Sequence, residues 1–342
     1  MSVRNVLPGA LVAAGAVLFP FDSAPAQDRP DIVLELPVDC TVGADCHIDA
    51  YVDLDASRRW KDYQCRGLSY ENSRGTEFEL RSLQQMAEGV PVRAAADGRV
   101  KAYRATQPDL TDPQLRKDTK RPCGNTVILE HENGWETQYC HLKQGSVRAV
   151  RGQTFKAGEQ IGLVGMSGAV TAPKLQFMVR HRGLTIDPFS GASAPEGCDR
   201  DENTLWSVAA LPHLEYVTTD ILNLGFSGEP PQMDRVAQGA HEAPQGLSEA
   251  ASLHFFVRLF GMQKGDVQEM RITAPNGSEL ASASSLINDR SSDVVLQSIA
   301  ASQPDGGWPA GDYEGYYKLT RRGQIVAEAR DSVEIGGGAD GP

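Results

Sequence analysis

The side chains best suited to chemistry in the N-terminal half of this sequence are His131, Glu132, His141, Lys174, Gln176 and the pair Glu77 and Glu79. Imidazoles and carboxylates are the donors from which a catalytic zinc site or a general acid–base pair is built. Lysine and glutamine bring a fixed positive charge and a neutral amide, and zinc selects neither over imidazole. Successive strand residues point to opposite faces, so in a strand through WETQYCHL Thr137, Tyr139 and His141 share one face and Gln138 and Cys140 the other. The same parity puts Lys174, Gln176, Met178 and Arg180 on one face of PKLQFMVR and turns His181 away from Gln176. Tyr139 therefore shares a face with His141, and Arg180 shares one with Lys174. The neighbours Cys140 and His141 face apart, which argues against thiol catalysis. A metal site displaced onto His131, Glu77 and His141 stays open on residue type alone.

These residues need a scaffold of short strands. TVILEHENGWETQYCHL is β-prone on both sides of Asn133-Gly134, the strongest local hairpin signal in the chain, and Asp97-Gly98 gives a second signal inside VPVRAAADGRVKAYR. Gln160 to Val164 and APKLQFMVRHRG add strands, and the glycines around them mark tight turns, since no helical pattern follows that would make a phosphate loop. EFELRSLQQMAEG sets Leu80, Leu83 and Met86 at helical spacing and ends at Gly89. The aspartates of YVDLDASRR lack the spaced glycine and closing glutamate of a calcium loop. The first domain is therefore expected to be antiparallel β.

After Cys198 the character changes. Residues 200–250 read as a linker and the start of a second domain, with loop signals at Pro230-Pro231 and from Gln238 to Gly246. From Leu253 to Ile335 the runs LHFFVRLF, EMRITAP, DVVLQSI, YEGYYKLTR and QIVAEARDSVEI, mostly separated by glycine turns, fit an immunoglobulin-like or fibronectin-like β-sandwich over 251–336. Residues 337–342, GGADGP, read as a disordered tail.

Residues 1–26 read as a signal peptide: Arg4, an apolar run from Leu7 to Phe21, and small residues at Ala24-Pro25-Ala26. The run of about 15 apolar residues is short of the roughly 20 that a membrane span needs, so the mature chain is expected to be exported, to periplasm or medium, without a span. Six cysteines, Cys40, Cys46, Cys65, Cys123, Cys140 and Cys198, all precede residue 200. An even number in an exported chain fits up to three disulfides and leaves the pairing open. Their spacing is poor for a structural zinc knuckle. The net charge of −12 repels nucleic-acid phosphates. The one basic cluster, Arg116 to Arg121, reads as an exposed loop.

GVPVRAAADGRV, GNTVILEHENGWETQYCHL, GQTFKAGEQIGLVGMSG, PKLQFMVR and DPF follow one another as in the LytM/lysostaphin-like zinc endopeptidases of peptidoglycan, which the chain resembles over roughly residues 60–190. The resemblance implies a small all-β core with a groove across its sheet, for which Tyr139 and Arg180 are lining candidates, here within residues 27–199, which also carry an N-terminal disulfide-bearing extension. It further implies that Cys65, Cys123, Cys140 and Cys198 belong to a disulfide-bearing version of the domain. The family draws two metal ligands from His-x-Gly-x-Asp, where this chain has SRGTE, so that Ser73 replaces the histidine and Glu77 the aspartate. Its His-Leu-His is here Lys174-Leu175-Gln176, with Gln176 at the ligand position and Lys174 at a catalytic one; only His141 keeps a catalytic histidine. A catalytic zinc takes three strong protein ligands and an open water position. With Ser73, Glu77 and Gln176 in those places, no metal or other cofactor is expected. The expected protein is a catalytically inactive, peptidase-like envelope protein that binds peptidoglycan or regulates a cell-wall hydrolase. The alternatives are a zinc-dependent endopeptidase with altered ligands and a structural role in envelope assembly.

Overall fold

The computed structural model describes residues 31–110, 120–194, 196–198, 203–239, 245–288 and 294–336. The proposed signal peptide, most of the basic cluster and the C-terminal tail lie outside the described residues. Among those described, no helix is long and apolar enough to cross a membrane.

The N-terminal unit is built on one antiparallel sheet from β1 (Cys46–Ala50), β2 (Thr76–Leu80), β4 (Gly98–Arg104), β5 (Asn125–Glu130), β6 (Trp135–Leu142), β7 (Thr154–Phe155), β9 (Lys174–His181) and β10 (Leu184–Ile186). Its order is β1-β2-β9-β6-β5-β4-β7, with β10 also pairing β9. A two-stranded ribbon joins β3 (Pro91–Arg93) to β8 (Gln160–Leu163). The Asn133-Gly134 signal makes the β5–β6 hairpin, both residues taking positive φ. The Asp97-Gly98 expectation fails: β3 pairs β8 while β4 pairs β5 and β7, so the turn connects two different sheets. Leu80 also leaves the expected helix. It ends β2, and the helix α1 (Leu83–Glu88) starts after Ser82, whose hydroxyl accepts from the Gln85 N–H as an N-cap.

One face of the large sheet is apolar: Phe78, Leu129, Tyr139, Leu175, Phe177 and Val179 lie inside a common core that also takes in Val92 and Ile161 from the ribbon. The opposite face carries the polar residues of β2, β6 and β9. Three disulfides, Cys40–Cys46, Cys65–Cys198 and Cys123–Cys140, use every cysteine.

The C-terminal unit has a three-stranded sheet, β11 (Asp220–Ser227), β12 (Ser252–Phe260) and β15 (Val295–Ser302), and a four-stranded one, β14 (Glu279–Leu286), β13 (Val267–Thr273), β16 (Gly311–Arg321) and β17 (Gln324–Ile335). A short helix, α2 (Met233–Ala237), follows β11. In β13 buried and half-buried residues alternate along the strand, the pattern of a sheet with one face on a core. Phe255 of β12 lies against Gly315 of β16, where a Cβ would stand 2.2 Å from the phenyl ring, so glycine is what lets the two sheets meet there. Two strands escaped the sequence pattern. β11 falls in the stretch read as linker, and β14 (ELASASSL) is a largely exposed edge strand with no apolar stripe to betray it.

Candidate functional site: a groove whose ligand positions are satisfied from within

Strand register assembles the site. Across β2 and β9, Glu77 stands opposite Gln176 and Glu79 opposite Lys174. Across β1 and β2, His47 stands opposite Glu79, and a bulge between Ile48 and Ala50 frees Asp49 from regular pairing. Directly opposed residues share a face. Two rows therefore run over the polar side of the sheet: His47, Glu79 and Lys174 in one, Glu77, Gln176 and Cys140 in the next. Beside them opens a groove of about 620 Å³, lined among others by Tyr70, Glu77, Gln138, His141, Lys174 and Arg180.

At the positions where the resemblance expects metal ligands, the donors are already engaged. Oε1 of Glu77 accepts from the Tyr70 phenol at 2.6 Å and from Nε2 of Gln176 at 3.0 Å. Its Oε2 accepts from the Lys174 ammonium at 3.1 Å. Ser73 is buried and does not line the groove; its hydroxyl donates to the Gly75 carbonyl at 3.3 Å. Neutral hydroxyl and amide oxygens are poor zinc donors, and the one carboxylate is paired with a fixed cation. The residues present do not fit a catalytic zinc.

Lys174 is only 4% exposed, and its ammonium also reaches Asp49 at 2.5 Å and Glu79 at 2.9 Å. Burial pulls the ammonium toward neutrality, but Glu79, Asp49 and Glu77 outweigh it and hold the group well above the ordinary lysine range. Lys174 is thus a charged internal counter-ion, the opposite of a lysine tuned to act as a base. Glu79, buried to 4% exposure, is shifted upward by desolvation despite Lys174. The C-terminal unit supplies part of that burial: Arg258 approaches Glu79 at 4.0 Å, and Phe260 stacks on the His47 ring at 4.9 Å between centroids. Arg81, beside this cluster, spans the two units, donating to the Gly43 carbonyl and to Asp220.

His141 lines the groove, but by a route that strand parity does not give. Its φ of 66° breaks the alternation, while its N–H donates to the Cys123 carbonyl at 2.9 Å. The ring therefore joins Gln138 and Cys123 on the groove side instead of following Tyr139 into the core. Nδ1 lies 2.9 Å from the Ser167 carbonyl. Against a carbonyl the neutral ring must carry its proton on Nδ1, which leaves Nε2 as the acceptor. Close approach of the 122–124 and 167–168 segments places that carbonyl; a Cβ on Gly168, whose φ is 91°, would fall 2.3 Å from the Pro122 oxygen. Burial lowers the His141 pKa to about 4, against smaller upward pulls from the Ser167 hydrogen bond and Glu77.

Tyr139, expected as a groove residue, is a correction. It is fully buried in the core, and its hydroxyl accepts from the Ala95 N–H at 2.7 Å and meets the Thr137 hydroxyl at 3.0 Å. The physical cause is the break at His141: Tyr139 keeps the core face and His141 leaves it. Arg180 does line the groove, held by Gln138 and by Glu136 at 3.6 Å. His131 lies away from the groove, with its ring nitrogens engaged by the Asp97 carbonyl at 2.7 Å and the Thr137 hydroxyl at 2.9 Å, so the displaced metal site on His131, Glu77 and His141 does not form. Cys140 is spent in its disulfide. Sequence reasoning missed Tyr70, His47 and Asp49. The period-2 spacing of His47 and Asp49 in CHIDA was the available signal for the last two.

Residues 83–188 match the sequence profile of Peptidase family M23. The chain is 36% identical over 100 residues to the cell division protein DipM of Caulobacter vibrioides, covering 29% of this chain and 14% of DipM. It is 36% identical over 110 residues to the DD-carboxypeptidase/endopeptidase Mpg of Neisseria meningitidis, covering 31% and 20% of the two chains. It is 31% identical over 102 residues to the murein hydrolase activator EnvC of Escherichia coli, covering 30% and 20%. The chain thus spans a fifth or less of the length of these curated relatives. At the metal-ligand positions that the resemblance assigns, Ser73 and Gln176 stand in place of histidines and Glu77 in place of aspartate, so the metal-binding motif is incomplete; of the three only Gln176 falls inside the matched residues.

Proposed function

We propose that this chain is an exported, catalytically silent M23-type protein that works in the cell envelope by binding, with peptidoglycan or a cell-wall hydrolase as its partner. The observation that carries the reading is the Lys174 ammonium bonded to Glu77, the one strong donor left at the ligand positions. Hydrolysis by a zinc peptidase needs a metal-bound water ionised near neutral pH and a polarised carbonyl. A histidine with a pKa near 4 and a lysine locked in three ion pairs supply neither. The groove keeps a size suited to an extended peptide, and recognition by shape and hydrogen bonding requires no metal. The names of DipM, a cell division protein, and EnvC, a murein hydrolase activator, support an envelope role of this kind. The two C-terminal sheets are read as an immunoglobulin-like sandwich that braces the groove side of the first unit through Arg258 and Phe260.

The test uses the secreted full chain and purified sacculi. Retention on sacculi, or stimulation of a cell-wall amidase, without release of peptide fragments is the expected result. Fragment release that a chelator abolishes overturns the reading.

A further inference from the structure

The cluster on the first row is richer in ligand atoms than the family's own positions. One donor atom each from His47, Asp49 and Glu79 lies within 4.8 Å of the other two. His47 is 1% exposed, and neither of its ring nitrogens has a hydrogen-bond partner among the described residues. Its Nε2 stands 3.8 Å from Oε1 of Glu79. A buried imidazole without a partner is costly, and this one points at two carboxylates. The second potential group, Cys40, Asp45 and Cys46, carries nothing, because its sulfurs form a disulfide.

Zinc takes imidazole nitrogen and carboxylate oxygen at about 2.0–2.2 Å, so three such donors need only a small inward rotation to share one ion. What stands in the way is the Lys174 ammonium, within 2.9 Å of both carboxylates. A compact point charge with three donors fills the electrostatic role of a metal ion toward those carboxylates, but its three N–H groups are spent on Asp49, Glu77 and Glu79, one too few for a neighbourhood that also holds an imidazole lone pair. That mismatch accounts for His47 remaining unpartnered.

We infer that His47, Asp49 and Glu79 form a cation site, outside the family's ligand positions, whose resident cation is the ammonium of Lys174 and which takes a divalent transition ion, zinc in the first place, once that ammonium is removed. The inference rests on the metal-free reading of the groove and adds its cause: the chain carries its own tethered cation.

The experiment titrates the full secreted chain, stripped with a chelator, with zinc chloride by calorimetry and follows thermal unfolding. Lys174→Ala and Lys174→Met are each expected to bind one equivalent of zinc, about 100-fold or more tighter than the wild type, on the scale set by breaking a buried ion pair. Their unfolding temperature should rise with zinc while that of the wild type stays unchanged. Adding His47→Ala to either variant should remove most of the gain. Folded Lys174 variants with no gain, or a gain that survives His47→Ala, overturn the inference. If both variants are unfolded without metal, zinc is expected to refold them, and failure to do so also overturns it. Chelator-sensitive cleavage of sacculi by the wild type would instead defeat the proposed function, a result read independently of the variants.

Discussion

Acidification tests the environment assigned to His141. The ring is buried, its Nδ1 proton goes to the Ser167 carbonyl, and burial lowers the pKa from 6.5 to about 4, with Glu77 pulling up and Lys174 pushing down. The folded-state value lies below the unfolded one, so the unfolded chain takes up the proton first. The contribution is complete above pH 6.5 and is lost as pH falls from 6.5 toward 4. At about 1.4 kcal/mol per decade, the interval amounts to about 3 kcal/mol. His47, lowered to about 3 chiefly by burial, acts in the same direction, so wild-type unfolding alone does not isolate His141. The decisive comparison is urea unfolding of wild type and His141→Gln between pH 7.5 and 4, alongside NMR titration of the histidine rings. The variant should lose less stability across that range, by about 3 kcal/mol at the acid end, and the His141 ring should titrate near pH 4. A ring that titrates between pH 6 and 7, or equal pH slopes for the two proteins, refutes the reasoning. Confirmation would leave His141 neutral but weakly basic at physiological pH, a poor general base for ordinary water.

Tyr139→Phe strands the buried Ala95 N–H and should cost about 1–3 kcal/mol in urea unfolding while leaving retention on sacculi intact; a loss of retention without a loss of stability would return Tyr139 to the groove. Replacing Cys123 and Cys140, 17 residues apart, by alanine should cost about 3 kcal/mol by loop entropy, read from the urea midpoint. The triple variant Ser73→His, Glu77→Asp, Gln176→His should bind zinc weakly while Lys174 keeps its ammonium beside position 77, and markedly more tightly once Lys174→His is added; calorimetry showing equal affinities would contradict the ascribed role of Lys174.

The local signals in the sequence carried far where the controlling interaction is local. Asn133-Gly134 specified the β5–β6 hairpin, and the parity of Lys174, Gln176 and Arg180 put all three on the groove. They failed where a single backbone angle or a distant strand decides. The left-handed φ of His141 reverses the face that alternation assigns, and no residue type in YCHL announces it. His47 and Asp49 meet Lys174 only because β1 pairs β2 and β2 pairs β9, a register set by contacts far apart in the chain. Asp97-Gly98 looked like a hairpin because turn chemistry is visible locally while strand partnership is not. The incomplete ligand set could be read from residue identity; the internal lysine that occupies its place could not.

The most direct test of the metal-free groove is elemental analysis of the full-length protein, purified without chelator and without added metal. A zinc content far below one ion per chain is predicted. One tightly held zinc per chain, retained through dialysis and liganded at Glu77, would contradict the account.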